Sequence, residues 1–538
     1  MPPTDNEPRD DLPGDDLLAE TRSCMDLQQQ VVELLVPCLT VIAHPDPRRV
    51  GERAGLTALV SGSSEELSRL EPRFAPVGGG EARPLEDPFV SRKPVLLTAG
   101  ADGAVVVDAS QLKSGVLLNQ EPVSSPTACS PEELTQGVLI QLANRVVLVL
   151  RLTELTTTAP PCAALIGESA GILRIRQEIQ RVADLDFPVL LRGESGTGKE
   201  LVARAIHDAG PRRDQPYRAV NIGAIPGSIA AAELFGATKG AYSGADKSRE
   251  GYFQQAAGGT IFLDEIGEAP EEVQVLLLRT LDTGQIQPVG AAKTVTANAR
   301  VISATDANLE AAAADGGFRS PLLHRLSSYE ITLPPLRDRR DDFGRLFYHF
   351  LEQEFAALSE PNPVGKDKDH PWVPADLVAR LAAFHWPGNV RQLRNVVRQL
   401  VVGSRGEPQM RLVDKVQKLL DDGSGAPAAN DASASTAATP KSDSKQYRQP
   451  YEISTEELLA ALRAEGWNLN RTATRLDISR TTLYKLIDEC PDIRKASDLT
   501  ADEIKACREK FAGDLAAMAD HLQVSPRGLQ LRIKKLRL

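Results

Sequence analysis

Residues 193–200 read Gly193-Glu194-Ser195-Gly196-Thr197-Gly198-Lys199-Glu200, after the apolar run Val189-Leu190-Leu191. The stripe Leu201, Val202, Ala205 and Ile206 follows at helical spacing. A strand, a glycine-rich turn and a helix in this order predict a phosphate-binding loop, because backbone N–H groups and Lys199 point at the anion. Glu200 stands where the general pattern has Ser or Thr, so we expect magnesium to be held differently. An ordinary glycine-rich turn is the alternative.

Two carboxylates at the end of a predicted strand fit this loop. The run Thr260-Ile261-Phe262-Leu263 is apolar, and Asp264 and Glu265 follow it. Asp264 is suited to orient hydrated magnesium, and Glu265 to polarise the water that attacks a terminal phosphoryl group. Carboxylates at a strand end can also be simple caps. Together with the lysine loop, they favour nucleotide hydrolysis.

The composition predicts a multidomain protein. A chain of 538 residues is too long for one hydrophobic core, and 42% hydrophobic with 25% charged residues is typical of globular proteins. No apolar run reaches the roughly 20 residues of a membrane span, and the acidic first residues do not resemble a signal peptide. Six scattered cysteines fit a reducing compartment, so we expect a cytoplasmic location. The net charge of -11 still leaves room for a local basic DNA-binding region.

The N-terminal region predicts a β-sandwich. Residues 1–30 are polar and acidic and predict a disordered tail, whereas short apolar runs alternate with Gly, Pro and Asp turns over residues 31–158. This spacing of predicted strands is typical of a sandwich. Within the region the chain reads Val90-Ser91-Arg92, then Asp102-Gly103, Asp108, Ser114-Gly115 and Asn119.

That string resembles a forkhead-associated domain, a sandwich whose loops bind phosphothreonine. The resemblance implies that Ser91, Arg92 and Asn119 contact a phosphothreonine protein or kinase. Pro94 and Ser114 stand where this family usually has His and Asn. A sandwich that serves only as an interaction module or controls oligomerisation is the alternative.

Residues 163–405 add further strand and loop motifs. Val220-Asn221 and the run 301–305 predict strands that end in polar residues, within a largely parallel α/β sheet that binds its ligand at the strands' carboxyl ends. With Glu233-Leu234-Phe235-Gly236 and Trp386-Pro387-Gly388-Asn389-Val390-Arg391, the stretch closely resembles the AAA+ ATPase of bacterial enhancer-binding proteins, the activators of sigma-54 RNA polymerase. The resemblance implies an α/β part at 163–330, a helical lid at 331–405, and ATP and magnesium as cofactors.

The same resemblance assigns three arginines and an asparagine. Arg319 and Arg325 correspond to arginine fingers that reach the adjacent subunit's phosphates, with a surface ion pair as the alternative for either. Asn221 corresponds to a switch residue that holds Glu265. Arg391 lies off the apolar stripe of its predicted helix and corresponds to the second sensor. Fingers that act on a neighbour imply a homo-oligomeric ring, a hexamer in our prediction.

A loop of the enhancer-binding family presses on sigma-54 with a Gly-Ala-Phe-Thr-Gly-Ala sequence. Glycines let such a loop move, and an aromatic ring and a hydroxyl at its tip offer two kinds of contact. This chain keeps the ring and the hydroxyl, and a mobile surface turn is the alternative. The corresponding residues are Gly240, Ala241, Tyr242, Ser243, Gly244 and Ala245.

The C-terminal part predicts a flexible linker and an all-α tandem. Residues 421–450 contain no Val, Ile, Leu, Met, Phe or Trp and predict the linker. Residues 451–490 resemble a Fis-type helix-turn-helix, and residues 495–538 are a second, similar copy with a basic end. For either copy, a packing or dimerisation unit is the alternative. The predicted contacts to double-stranded DNA are Arg480, Thr481, Thr482, Tyr484 and Lys485 in the first copy, and Arg527 and Arg532 in the second.

These features predict a transcriptional activator that binds upstream DNA and hydrolyses ATP to remodel sigma-54 polymerase. The N-terminal sandwich would regulate assembly of the ring. Two alternatives remain at this point. One is a DNA-binding regulator that hydrolyses ATP without contacting sigma-54, and the other is a phosphopeptide-dependent scaffold with an inactive ATPase.

Overall fold

The structure is a computed structural model that describes residues 35–422 apart from 113–114, 155–161, 163 and 242–247. After residue 422 it describes the helices Thr455–Ala464 and Ala501–Lys510, residue 511 and single positions between 472 and 533. The chain divides into two compact units, residues 1–428 and 429–538, which we describe separately. No helix in this described part combines the length and apolar character that crossing a membrane requires.

The N-terminal region contains two antiparallel sheets around one core. The elements are β1 (Leu35–Ala43), β2 (Arg53–Gly55), α1 (Thr57–Val60), β3 (Ser64–Leu67), β4 (Val95–Ala99), β5 (Val105–Asp108), β6 (Val116–Leu118), β7 (Glu121–Pro122), β8 (Thr127–Cys129), α2 (Pro131–Gln136), β9 (Val138–Leu142) and β10 (Val146–Glu154). One sheet has the order β2-β1-β10-β9-β6-β7 and the other β3-β4-β5-β8. Apolar side chains of both sheets, such as Leu39, Leu97 and Leu148, share one buried cluster. The apolar runs therefore form strands, as predicted.

The central region is built on a five-stranded parallel sheet. Its strands are β11 (Val189–Arg192), β12 (Tyr217–Asn221), β13 (Thr260–Asp264), β16 (Arg300–Thr305) and β17 (Glu330–Thr332), and β14 (Gln285–Ile286) pairs with β15 (Val295–Thr296) separately. The order is β12-β13-β16-β11-β17, and every pairing in it is parallel. The helices are α3 (Ala170–Val182), α4 (Lys199–Ala209), α5 (Gly227–Phe235), α6 (Tyr252–Gln255), α7 (Glu271–Thr283), α8 (Leu309–Ala314) and α9 (Ser320–Leu326). The predicted parallel sheet is confirmed.

Four helices follow the sheet and form the lid. They are α10 (Phe343–Leu358), α11 (Ala375–Ala383), α12 (Asn389–Gly403) and α13 (Asp414–Asp422). On α12 the predicted stripe of Leu393, Val396, Val397 and Leu400 is buried. Helix α13 lies beyond the predicted lid end at residue 405 and includes the first two residues of the predicted linker 421–450. The remainder of that linker lies outside the described residues.

The first N-terminal sheet packs directly against the lid. Ile42 of β1 and Val147 and Val149 of β10 belong to the same buried cluster as Phe343 and Phe347 of α10. These sheet residues alternate with those of the sheet's own core, so the sheet is buried on both faces. The sequence analysis treated the two regions as separate domains and did not predict this contact.

The C-terminal unit contains α14 (Thr455–Ala464) and α15 (Ala501–Lys510). Ile504 and Cys507 of α15 are buried with Met518 and Leu529. Arg532 is described, in a helical conformation and half-buried. Six predicted DNA contacts lie outside the described residues and stay predictions: Arg480, Thr481, Thr482, Tyr484, Lys485 and Arg527.

Candidate nucleotide site

A cavity of about 330 Å³ lies at the carboxyl ends of the parallel strands, between the sheet and the lid. The end of strand β13 contributes Asp264, the next residue is Glu265, and the loop after β16 contributes Asp306. The loop after β11 and the first turn of α4 contribute a lysine and backbone groups. Lys199, Asp264 and Glu265 therefore line one cavity at the carboxyl ends of the predicted strands. Residues of the predicted loop that line it are Ser195, Gly196, Gly198, Lys199 and Glu200.

The loop needs glycine at Gly196 and Gly198 for conformational reasons. Both have positive φ, 80° and 107°, in the region that favours glycine. A Cβ on Gly196 would also lie 2.4 Å from the carbonyl oxygen of Gly388, so the loop and the lid approach closely there. The ammonium of Lys199 donates to the carbonyl oxygens of Gly193 at 2.6 Å and Glu194 at 3.2 Å. Burial lowers the pKa of Lys199, partly offset by Asp306 and Asp264.

The two predicted catalytic carboxylates have different surroundings. Asp264 ends β13, where burial raises its pKa. Glu265 follows in the left-handed region at φ 55° and ψ 47°, a conformation that costs a non-glycine residue energy and recurs at functional sites. A Cβ on Gly223 would lie 2.5 Å from Glu265 Oε2 and 3.4 Å from Asn221 Oδ1. Asn221 and Glu265 therefore converge on Gly223, a residue that the sequence analysis missed.

Asn221 is engaged by the loop that follows β12. Its Oδ1 accepts a hydrogen bond from the backbone N–H of Ala224 at 3.0 Å. This hydrogen bond holds the Asn221 side chain beside Gly223, at the end of β12. The predicted role of Asn221 in holding Glu265 stays a prediction.

Magnesium fits the oxygen donors of this cavity. Asp264, Glu265 and Asp306 all line it. Among the described residues, no three His, Cys, Asp or Glu side chains form a metal cluster on their own. Magnesium is commonly held by one or two carboxylates together with substrate phosphates. Asp264 and the phosphates of a nucleotide would supply such a set.

The lid closes the cavity with Arg391 of α12. Arg391 Nη1 donates to Ser195 Oγ at 3.2 Å, and its backbone N–H donates to the carbonyl of Gly196 at 3.3 Å. The predicted second sensor therefore contacts the phosphate loop. Phe350 and Arg394 also line the cavity and were missed by the sequence analysis. Arg394 lies three residues after Arg391, so its helical spacing was the signal that could have revealed it.

Two residues of the predicted phosphate loop direct their side chains away from the cavity. Glu194 is bound by Arg337, with Nη1 and Nη2 at 2.9 and 2.5 Å, and by Asn389 Nδ2 at 3.0 Å. The Arg337 guanidinium holds the pKa of Glu194 below its ordinary value. The buried Thr197 donates its hydroxyl to the Glu194 carbonyl at 2.8 Å. Their side chains brace the loop, and their predicted part in binding the cofactor stays a prediction.

The two predicted arginine fingers lie outside the cavity of their own chain. Arg319 pairs with Glu271 at 3.0 Å, and Arg325 pairs with Asp282 at 3.2 Å. About half of each side chain is exposed. Exposed pairs of this kind contribute little to stability. Both guanidiniums are therefore held weakly at the surface.

The predicted phosphopeptide residues separate in the structure. Ser91 and Arg92 line an open cavity together with Arg69 and Lys93. Asn119 instead lies in the turn after β6, where its Oδ1 accepts from the Leu139 N–H at 3.0 Å. Asn119 does not line this cavity, and its predicted contact with a phosphopeptide stays a prediction.

The predicted sigma-54 loop is described only at its start. Gly240 has φ 82°, and the N–H of Ala241 donates to the Thr238 carbonyl at 3.2 Å. These two residues form a turn that leads into the loop. Four predicted contacts lie outside the described residues: Tyr242, Ser243, Gly244 and Ala245.

Three family models match successive regions of the chain. Residues 165–332 match the model described as the sigma-54 interaction domain. The chain is similar to sigma-54-dependent enhancer-binding proteins. Residues 337–417 match the AAA+ ATPase lid domain, and residues 450–489 match the bacterial regulatory protein, Fis family. A central AAA+ domain, its lid and a C-terminal helix-turn-helix are thus supported, with a lid that extends past residue 405.

Curated relatives support the same similarity. The nitric oxide reductase transcription regulator NorR2 of Cupriavidus necator is 40% identical over 332 residues, or 60% of this chain and 62% of that relative. The DNA-binding transcriptional regulator NtrC of Escherichia coli is 46% identical over 247 residues, or 46% of this chain and 51% of that relative. The chain therefore spans between half and two thirds of the length of these relatives. A solved structure of NtrX from Brucella abortus in complex with ATP is 31% identical, with a TM-score of 0.43, covering 61% of this chain and 69% of that chain.

Proposed function

We propose that the protein is a transcriptional activator that hydrolyses ATP in its AAA+ domain to remodel sigma-54 RNA polymerase. The supporting observation is the cavity at the strand ends, where Lys199, Asp264 and Glu265 of the region similar to sigma-54 interaction domains meet Arg391 of the lid. The set contains a cation for phosphates, a carboxylate for the metal and a carboxylate for water. These are the parts that hydrolysis of a nucleoside triphosphate requires.

Each residue of the cavity has a distinct part in the proposed reaction. Lys199 binds the phosphates, and Arg391 joins them from the lid. Glu265 accepts a proton from the attacking water, and its placement beside Asn221 and Gly223 keeps its carboxylate at the strand end. Asp264 holds magnesium, which when bound neutralises charge on the phosphates.

The proposed assembly is a homo-oligomeric ring, with a hexamer as the expected size. Arg319 and Arg325 are about half exposed and lie outside their own cavity; Arg319 pairs with Glu271, and Arg325 pairs with Asp282 and donates to the Leu281 carbonyl at 3.3 Å. Such arginines are free to exchange these partners for the phosphates of an adjacent subunit. In other NTPases an arginine supplied to the site raises turnover by about a thousandfold or more.

The proposed activator needs two further contacts, one with sigma-54 and one with DNA. Residues 240–245 are the proposed sigma-54 contact, and the region similar to Fis-family regulators is the proposed reader of double-stranded DNA. A helix-turn-helix places its second helix in the major groove, where base edges are read. Arg480 and Lys485 are suited to this role by their charge.

Transcription in vitro from a sigma-54 promoter tests the proposed function. The intact protein is compared with Glu265→Ala, which removes the proposed base, and with the matched control Glu272→Ala, an exposed glutamate on the first turn of α7. We expect transcripts from the intact protein and the control and none from Glu265→Ala. Equal transcription by Glu265→Ala would overturn the proposal, because the carboxylate would then not be needed.

We also propose that the N-terminal sandwich binds a phosphothreonine protein or kinase and regulates ring assembly. The cavity that contains Ser91 carries three basic side chains, Arg69, Arg92 and Lys93, which suit a phosphate group. A phosphothreonine peptide array tests this with Arg92→Ala and the control Arg73→Ala, whose guanidinium donates to the Ala82 carbonyl. We expect binding that only Arg92→Ala abolishes. Peptide binding that is unchanged in Arg92→Ala, or absent from the intact protein, contradicts the proposal.

A further inference from the structure

The 3₁₀ segment Leu336–Asp342, here called the junction segment, connects the central sheet to the lid. Its backbone departs from helical geometry at Arg339, with φ −136° and ψ 49°. Neighbouring side chains therefore leave the segment in different directions. Some bond to the phosphate loop and others to the N-terminal sheets, so the segment lies between the nucleotide site and the N-terminal region.

Two arginines of the junction segment hold the outer side of the phosphate loop. Arg337 donates two hydrogen bonds to the Glu194 carboxylate, and Arg339 Nη2 donates to the Thr197 carbonyl at 3.2 Å. Arg339 is 4% exposed, which leaves its side chain little room to move. A bidentate arginine fixes both the position and the orientation of its carboxylate. The segment thus holds the loop at two points, the Glu194 side chain and the Thr197 backbone carbonyl.

The next two residues face the N-terminal sheets. Asp341 accepts a hydrogen bond from Arg53 of β2 at 2.8 Å and another from Arg151 of β10 at 3.1 Å. The Asp341 side chain is only 4% exposed. Arg340 Nη1 donates to the Gly137 carbonyl, just before β9, at 2.9 Å. A buried carboxylate between two arginines is costly to separate from them, because the charge would be left unpaired.

The end of the segment is anchored to the central domain as well. Asp342 accepts from the N–H groups of Glu168 and Ser169 at 2.5 and 2.8 Å and from the Ser169 hydroxyl at 2.5 Å. Close beyond it, a Cβ on Gly344 would lie only 2.4 Å from the Ile42 carbonyl oxygen. The N-terminal sheet and the lid helix therefore touch at backbone distance. A shift of the sheet cannot leave the junction segment unchanged.

We infer that the N-terminal sheet domain positions the phosphate loop, with Asp341 as the positioning residue that transmits its docking through Arg337 and Arg339. The inference rests on the proposed function only in taking ATP as the ligand. With Arg53 and Arg151 in place, Asp341 fixes the segment, and the segment fixes the loop. A loop that is already held in place loses less conformational freedom when it binds a nucleotide. Docking of the N-terminal domain and nucleotide binding are consequently linked, each favouring the other.

The experiment measures the affinity of the full chain for a non-hydrolysable ATP analogue with magnesium, by calorimetry, together with kcat and KM for ATP. Asp341→Asn keeps the volume of the side chain and removes its charge. We expect the dissociation constant and KM to rise about tenfold, a typical size for coupling between sites, with kcat nearly unchanged. Asp341→Glu should restore part of the affinity.

The control variant loosens the same domain contact at a place away from the junction segment. Lys368 of the lid pairs with Asp46 of the N-terminal region at 3.0 Å. Lys368→Gln removes that pair and should leave the affinity within about twofold, since Lys368 is exposed and Asp46 keeps its bonds from Arg48. Amide hydrogen exchange supplies a second measurement. The backbone amides of residues 194–198 should exchange faster in Asp341→Asn than in the control. The exchange rates of the amides in α7 should be the same in both variants.

Each outcome separates this inference from the proposed function. If the intact protein binds no ATP analogue, the proposed function fails. If the intact protein binds it and Asp341→Asn binds equally well, the inference fails and the ATPase proposal stands. Should Asp341→Asn not fold, as judged by thermal unfolding, Arg151→Gln takes its place with the same expectation. An equal loss of affinity in Asp341→Asn and Lys368→Gln also overturns the inference, because the effect would then come from general loosening.

Discussion

The two sides of the phosphate loop differ in what they bind. The inner side presents Lys199 and backbone groups to a cavity that Asp264 and Arg391 share. The outer side presents Glu194 and the Thr197 carbonyl to the junction segment. The inner groups line the cavity, whereas the outer groups bond to the junction segment.

Groups on the inner side would take part in the reaction, whereas groups on the outer side hold the loop in position. Changes on the inner side remove groups that stabilise charge during phosphoryl transfer, where single groups are worth several kcal/mol. Changes on the outer side alter how firmly the loop is held, where single partly exposed pairs are worth about 1 kcal/mol or less. The predictions below follow this order, from the inner side to the outer.

Lys199→Ala should have the largest effect. We expect ATP turnover to fall at least about a thousandfold, since the fixed charge at the phosphates is lost. Steady-state phosphate release measures it, with Lys366→Ala, an exposed lysine of the lid loop, as the matched control. Turnover within tenfold of the intact protein would place the phosphate site elsewhere.

Arg319→Ala tests whether the inner side is completed by a neighbour. We expect a loss of about a thousandfold, because an arginine finger stabilises charge in transfer. Mixing Arg319→Ala with Lys199→Ala should recover activity, since some interfaces would then combine an intact finger with an intact cavity. Arg213→Ala, another exposed arginine, is the control. Failure of the mixture to recover, with both variants assembled, would argue against action in trans.

The pKa of Asp264 predicts a pH dependence on the inner side. Because burial raises this pKa, the carboxylate becomes neutral at a higher pH than an ordinary aspartate as the solution is acidified. A neutral carboxyl holds a divalent cation poorly, so the magnesium concentration for half-maximal binding of ATP should rise on acidification, starting at a higher pH than it would with an ordinary aspartate. Fluorescence titration measures it. In Asp264→Asn the steepness of this dependence should be reduced, and an unchanged profile would contradict the assignment.

Glu194→Gln should have the smallest effect. It weakens the pair with Arg337 on the outer side of the loop and leaves the inner side unaltered. The side chains of Glu194 and Arg337 are both more than a third exposed. We expect the affinity for ATP to fall about two- to fivefold, with kcat retained. A calorimetric titration beside Asp341→Asn would show whether the two losses combine additively. A large drop in kcat would mean that Glu194 takes part in the chemistry after all.

The sequence predicted the inner side well because its determinants are local. Short sequence motifs reveal these determinants. One is a set of glycines at positions of positive φ, such as Gly196 and Gly198, and another is a pair of carboxylates directly after an apolar strand. Parallel strands then bring their ends to one edge of the sheet. Arg391 could be placed because it lies off the apolar stripe of its helix.

The outer side could not be predicted because its partners are far apart in the sequence. Glu194 and Arg337 are joined only by folding, as are Asp341 and Arg151. A single sequence gives each of these charges the same expectation, a solvated surface position. The bond that Asn119 accepts from the backbone N–H of Leu139 could not be predicted for the same reason. Helix α13 was missed because Gly403 and Gly406 before it resemble a boundary.

Promoter opening measured together with ATP hydrolysis tests the central claim most directly. The intact protein is added to a closed sigma-54 promoter complex with ATP, and phosphate release and strand separation are followed in the same reaction. We predict that the promoter opens with ATP and stays closed with ADP or with Glu265→Ala. Brisk hydrolysis of ATP by an assembled oligomer, with the promoter closed at every protein concentration, would contradict the account.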